Sequence, residues 1–167
     1  MKISIISEIT SYQIAEYKEF FIDGLLQNEN KFRISPDDER RSAFPTNYKP
    51  DSFTLGAYVD DKLAGIVSFE REGVTREKLR HKGLLFRMYV NSAYAGNGIG
   101  RQLIAELIDR VRALKNVEQI NLTVIADNEN AIKLYTSLGF KTFSIEERAI
   151  KWQGNYLTEQ QMVLYLY

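Results

Sequence analysis

Apolar and polar residues alternate over residues 2–9, the period of a half-buried strand. They then recur at helical spacing over 12–26, where Ile14, Tyr17, Phe20, Phe21 and Leu25 share a face. Residues 28–50 are polar, carry all three prolines (Pro36, Pro45, Pro50) and predict a short helix around 36–42 followed by irregular chain. Residues 53–59 and 63–70 predict two strands of a hairpin turning at Asp60-Asp61. A charged loop over 73–82 follows. Then Leu84, Phe86, Met88 and Val90 alternate with Leu85, Arg87 and Tyr89 as a strand with one strongly apolar face. Ile99, Leu103, Ile104, Leu107, Ile108, Val111 and Leu114 form the stripe of a long amphipathic helix, with Arg101, Gln102, Glu106, Asp109, Arg110 and Arg112 opposite. A strand over 118–126 comes next, and then a helix capped by Asp127 or Asn128. That helix has a core stripe of Ala131, Leu134, Tyr135 and Leu138 and stops at Gly139. Residues 140–151 and 160–167 predict two closing strands across Gly154-Asn155.

Between the Met88 strand and the long helix lies Ala95-Gly96-Asn97-Gly98-Ile99-Gly100. Glycine at every second position permits a tight path that side chains would block. The amides then point outward at the positive end of a helix dipole, a site for phosphate or pyrophosphate. Two familiar phosphate loops fail on spacing. A Walker loop ends in Gly-Lys-Ser/Thr, whereas Gly100 is followed by Arg101-Gln102. A dinucleotide fingerprint beginning at Gly96 and Gly98 needs its third glycine where Arg101 stands, and the chain lacks a succession of βαβ units.

These residues, with Asn128-Glu129-Asn130-Ala131-Ile132-Lys133-Leu134-Tyr135-Thr136-Ser137-Leu138-Gly139-Phe140, resemble the GNAT superfamily of acyl-CoA-dependent N-acetyltransferases. The family loop, Arg/Gln-x-x-Gly-x-Gly/Ala, is matched by Gly98 and Gly100 with Ala95 in first place. The downstream pattern is matched by Asn128, Ala131, Tyr135, Gly139 and Phe140. The resemblance runs from about Phe53 to the C-terminus. It implies one α/β (α+β) domain over residues 1–167, in the order β-α-α-β-β-β-α-β-α-β-β. A mixed sheet of about seven strands would be splayed in the middle and flanked by about four helices.

The resemblance also implies acetyl-CoA as cosubstrate, with no metal. The amides of Gly96, Asn97, Gly98, Ile99, Gly100 and Arg101 would hold its pyrophosphate. The pantetheine arm would lie along Met88, Tyr89 and Val90, in a gap opened by a bulge between that strand and the 118–126 strand. A backbone N–H near Tyr89 or Val90 would hold the oxyanion, and Asn128 would hydrogen-bond the arm. Ala95 departs from the family and supplies no side-chain contact, a loss of about 1.5–3 kcal/mol at most. Tyr135 would protonate the leaving thiolate; a phenol near 10 donating to a thiol near 8.5 costs about 2 kcal/mol. For the base, Glu70 at the end of its strand is the best-placed carboxylate and Glu72 is next. His81, the one histidine, lies between Arg80 and Lys82. The acceptor would be the primary amine of a small molecule, or alternatively a protein N-terminus or lysine. A non-catalytic coenzyme A-binding domain is the third reading. Phe21, Phe32, Arg33, the chain to Pro50 and the hairpin near Trp152 and Tyr156 would shape the acceptor site.

Composition narrows the partners. Lys plus Arg and Asp plus Glu both number 22, so no global field draws nucleic acid or an anionic membrane. No apolar run approaches the roughly twenty residues of a spanning helix, and the first residues lack a cleavage-site pattern. With no cysteine, disulfides and thiolate chemistry drop out. A cytoplasmic enzyme follows as the expectation, with exposed C-terminal strands that could pair in a homodimer.

Overall fold

The computed structural model describes residues 4–167. Its elements are β1 (Ile5–Ile9), α1 (Ile14–Gln27), α2 (Pro36–Arg41), β2 (Phe53–Val59), β3 (Lys62–Arg71), β4 (Lys82–Val90), α3 (Ile99–Arg112), β5 (Gln119–Ile125), α4 (Glu129–Ser137), β6 (Lys141–Trp152) and β7 (Asn155–Tyr165). One seven-stranded sheet runs in the order β1-β2-β3-β4-β5-β7-β6. Among the described residues only the β4–β5 pair is parallel. This is the element order and mixed sheet that the resemblance implies.

Two apolar layers cover the sheet. On one face Leu103, Ile104, Leu107 and Val111 of α3 pack with Leu55, Val67, Phe69, Ile120 and Leu122, and Tyr135 of α4 joins them beside Phe140. On the other face Tyr17, Phe21 and Leu25 of α1 pack with Ile9, Phe44, Ile66 and Tyr89. Burial on α1 and α3 recurs at the spacing that the sequence predicts.

Local chemistry explains most boundaries. Asp60 and Asp61 both take positive φ (50° and 60°), the backbone that a two-residue hairpin requires. Ser35 caps α2 by accepting from Asp38 N while Asp38 reaches back to Ser35 N, with Pro36 in the first turn. Gly139 ends α4 at φ +97°. Arg71 ties the loops at the β3 end, donating to Arg80 O, Lys115 O and Asn116 O and pairing with Asp51.

Several expectations are corrected. The predicted first strand spans 2–9; its residues 2 and 3 lie outside the described residues, and the strand described is Ile5–Ile9. A short 3-10 turn, Ser11–Gln13, precedes α1. Lys82 opens β4 instead of closing a loop, and the 73–82 segment holds a 3-10 turn at Glu77–Leu79. β7 begins at Asn155, well before residue 160, because it pairs with β6 out to Trp152↔Asn155. That outer arm is held by backbone bonds and buries little, so hydrophobic alternation does not reveal it.

The largest correction concerns β4. Leu84, Phe86, Met88 and Val90 do not share one buried face. Ser68 stands opposite Phe86 while Ile66 stands opposite Tyr89, so Arg87 and Met88 together face Val67 in a bulge, with Arg87 at φ +49°. The extra residue inverts the alternation: Leu85 packs on the α3 side and Tyr89 on the α1 side. Met88 and Val90 turn to the α3 side, and all four predicted core positions are only half-buried.

Candidate active site

β4 and β5 pair only at Lys82↔Gln119, Gly83↔Ile120 and Leu84↔Asn121. Beyond that point β4 follows β3 through its bulge, while β5 stays paired with β7 as far as Ile125↔Glu159. The strands diverge and leave facing rows of backbone groups in the middle of the sheet. A cleft of about 870 Å³ occupies the gap and passes from one face of the sheet to the other. The glycine loop, Asn128, Leu134 and Tyr135 line it on one side, and Phe21, Asn28, Phe32, Arg33 and Ile34 on the other. Lys49, Glu70 and Leu84 line it near the base of the split, and Thr123 lines it on β5.

The glycines divide their work. Gly96 and Gly98 hold φ of +76° and +75°, and a Cβ at either would meet nothing within 4 Å among the described residues. They are glycine for backbone shape alone, and the loop surface lies open. Gly100 has ordinary φ, but a Cβ there would come within 3.1 Å of Leu134 and 3.2 Å of Met88. It lets α3 start against α4 and β4. Gly98 is the residue before the first turn, and its carbonyl takes Gln102 N at 3.0 Å. The amides of Ile99, Gly100 and Arg101 thus head a fourteen-residue helix with no carbonyl behind them. A diphosphate fits this cradle.

The side chains around the loop are placed as follows. Asn97 folds back to donate to Tyr94 O and Ala95 O at 3.0 and 3.2 Å, so it shapes the loop rather than facing the cleft. Ala95 lines the cleft. Arg101 also lines it, and donates to Ser137 Oγ at 2.5 Å across to α4. Asn128 caps α4, its Oδ1 accepting from Ala131 N at 3.4 Å.

Tyr135 is 6% exposed, packs edge-on against Phe140 with ring centroids 5.8 Å apart, and reaches the cleft wall. Burial drives its hydroxyl well above the ordinary phenol range, so it stays protonated. Glu70 lies opposite Leu84 in the β3–β4 register and pairs with Lys49 Nζ at 2.6 Å. Tyr89 keeps its main chain on the cleft and sends its ring into the α1 cluster, 5.2 Å from Phe20 and 6.0 Å from Phe32.

Some suggested residues do not gather here. His81 lines a separate recess with Asp51, Arg71 and Glu118, and Glu72 joins neither group of lining residues. Trp152 and Tyr156 stand off the cleft, although Gln153 beside them reaches Glu29 Oε2 at 3.4 Å. Arg33, expected to shape the acceptor site, lines the cleft, whereas Glu39 and Glu159 carried no signal in the sequence. Arg33 meets Glu159 of β7 at 2.5 Å, a carboxylate 2% exposed. Arg87 meets Glu39 of α2 at 2.9 Å.

An anion cradle at a strand–loop–helix junction, opening onto a parallel pair that splits, defines a protein built to hold an extended, phosphate-bearing cosubstrate. Residues 16–140 match the model of the acetyltransferase (GNAT) family, and the chain belongs to it. The N-alpha-acetyltransferase RimI of Mycobacterium tuberculosis is 31% identical over 105 residues, 63% of this chain and 62% of that protein. The spermine/spermidine N(1)-acetyltransferase of Bacillus subtilis is 27% identical over 95 residues, 56% of this chain and 60% of that one. The chain thus spans about three fifths of these curated relatives, and 24% of a longer one from Mycobacterium leprae. The solved structure of yncA, a putative acetyltransferase from Salmonella typhimurium with its cofactor acetyl-CoA, shares the fold. Its TM-score is 0.80 over 99% of this chain and 95% of that chain, at 21% identity. Acetyl-CoA is the family's acyl donor. No helix among the described residues is long and apolar enough to cross a membrane.

Proposed function

We propose that this chain transfers an acetyl group from acetyl-CoA to the primary amine of a small molecule. The cosubstrate supplies an activated thioester and, after transfer, a thiolate leaving group. The amides of Gly96, Gly98, Ile99, Gly100 and Arg101 bind its diphosphate. The facing edges of β4 and β5 pair with its arm as an added strand would. Just past the bulge, a β4 amide near Tyr89 or Val90 donates to the oxyanion, and Asn128 steadies the arm.

Tyr135 donates the proton to the leaving sulfur. Its raised pKa makes it a weaker acid than free phenol. A thiolate formed beside it, where the bound arm excludes water, is raised by the same effect, so the gap between them stays small. Glu70, held by Lys49, takes the amine's proton through water from its place at the base of the split. Direct contact with an amine near Met88 is excluded by distance. Glu70 stands three residues along β3 from Val67, the residue that Met88 faces, about 10 Å away at 3.3 Å per residue.

The observation that favours a small acceptor is the Arg33–Glu159 pair. It ties Arg33, a cleft-lining residue on the segment after α1, to β7, a restraint on the acceptor side that favours a compact substrate over a polypeptide. The test is thiol release from acetyl-CoA with a panel of amino acids, polyamines, aminosugars and N-terminal peptides. Small amines are expected to turn over, and Tyr135→Phe to lose kcat by about tenfold or more with acetyl-CoA affinity unchanged. Turnover confined to peptides would replace the small-molecule reading with the peptide one. Equal rates for the variant would remove Tyr135 from the chemistry, and no thiol release at all would leave a binding domain.

A further inference from the structure

The β4 bulge lies in the stretch where β4 has parted from β5, and it holds an arginine in a backbone conformation that side chains resist. Arg87 sits at φ +49°, where it and Met88 share Val67 as their partner across the ladder. Glycine, the residue suited to that conformation, is not used. Something outside the strand must hold the kink.

The side chain of Arg87 crosses to α2, where its Nη2 meets Glu39 Oε2 at 2.9 Å. Glu39 is 0% exposed, and burial raises its pKa against the pull of Arg87 and Lys18. The contact is ionic without an aligned N–H···O bond. Among the described residues neither Glu39 oxygen has a hydrogen-bond partner, and nor does the buried hydroxyl of Tyr17. Tyr17 lies close enough for both charges to act on it. Behind Glu39, α2 is itself fixed. Lys18 of α1 donates to the carbonyls of Glu39 at 2.6 Å, Arg40 at 3.2 Å and Ser42, using its three protons on the open end of the helix. An ion pair so poorly satisfied is a weak stabiliser; apolar residues of similar volume would pack there at least as well. What the pair does accomplish is to carry a rigid anchor from α1 through α2 into the bulge.

We infer that Glu39 is a positioning residue for acyl transfer: from α2 it holds the Arg87 guanidinium, and through it the left-handed kink that turns β4 away from β5. The link to transfer rests on the proposed function; the link to the kink rests on the fold alone.

Two variants test it, Glu39→Gln and Glu39→Gln with Arg87→Gly, each read by the backbone carbon shifts of residues 86–89 and by calorimetry with coenzyme A. In Glu39→Gln the Arg87 Cα shift is expected to leave the left-handed range. Coenzyme A affinity should fall about tenfold or more, because the cleft edge is displaced. With glycine at 87, which adopts positive φ without strain, affinity should return to within about threefold of wild type. A merely structural Glu39 would lower the melting temperature and leave both shift and affinity alone, and that result overturns the inference. So does a double variant that folds but binds no better than Glu39→Gln. If Glu39→Gln does not fold, the double variant decides: folded and binding supports the inference, folded without binding overturns it. A wild-type protein that binds no coenzyme A would instead defeat the proposed function, and the Arg87 shift would still decide the role of Glu39.

Discussion

Leu84 and Asn121 are the last residues paired between β4 and β5; past them the two strands run without a rung between them to Val90 and Ile125. Central strands normally satisfy every backbone group in the ladder, so an interior gap of this kind exposes amides and carbonyls to solvent. A ligand arm lying in the gap replaces that solvent. Coenzyme A is therefore expected to slow amide hydrogen exchange at residues 85–90 and 122–125 by about tenfold or more at saturation, with little change in β1 or β2. Protection spread evenly over the chain would mean only global stabilisation.

Gly98 gives the sharpest test of the loop. Its φ of +75° is closed to a β-branched side chain, yet a Cβ there would meet nothing within 4 Å among the described residues. Gly98→Val therefore acts on backbone shape alone, at about 1–2 kcal/mol of strain or by flipping the turn. Coenzyme A binding should vanish in calorimetry while far-UV dichroism stays native. Gly98→Asn, which tolerates the left-handed region, should keep most of the affinity.

The pH dependence follows from Tyr135. Its phenol is raised by burial, so the donor stays protonated through and beyond the range where free tyrosine ionises. The amine must lose its proton, so kcat/KM should climb about tenfold per pH unit below the amine's own pKa. It should then level off, with no descending limb near pH 10 from the acid. A fall there that Tyr135→Phe abolishes would show a phenol ionising in its ordinary range.

Arg33 tests acceptor size. Arg33→Ala frees the segment after α1 from β7 and leaves the buried Glu159 carboxylate without its cation, at a cost of about 1–3 kcal/mol since the Arg33 end is exposed. Thermal denaturation should show the loss, and peptide acceptors refused by the wild type should begin to turn over. Unchanged discrimination against peptides would mean that this tie does not gate the cleft.

The order of elements was readable because α1, α3 and β5 each bury one face or stripe, and burial writes a period into the sequence, while β2 and β3, buried almost throughout, read as short apolar runs on either side of Asp60-Asp61. The loop at residues 95–100 was readable because positive φ at Gly96 and Gly98 and close packing at Gly100 leave few alternatives to glycine. The β4 face was misread because a bulge adds one residue and inverts the alternation, and nothing in Phe86-Arg87-Met88 marks it. Glu39 was invisible for a related reason. In Pro36-Asp37-Asp38-Glu39-Arg40-Arg41 it looks like one more charge on a solvated helix, and only the placement of Arg87 pulls it inside. The acceptor flank joins Arg33 to Glu159 across most of the chain, and no local pattern encodes such a pair.

The central claim is that the diphosphate sits on the amides at the start of α3 with the arm between β4 and β5. A crystal structure of the protein grown with coenzyme A addresses it directly. The account predicts phosphate oxygens within hydrogen-bond distance of the Gly98, Gly100 or Arg101 nitrogens, and an extended arm bonded to main chain of residues 86–90. Coenzyme A seated elsewhere, with that loop bare and the strands still parted, would contradict it.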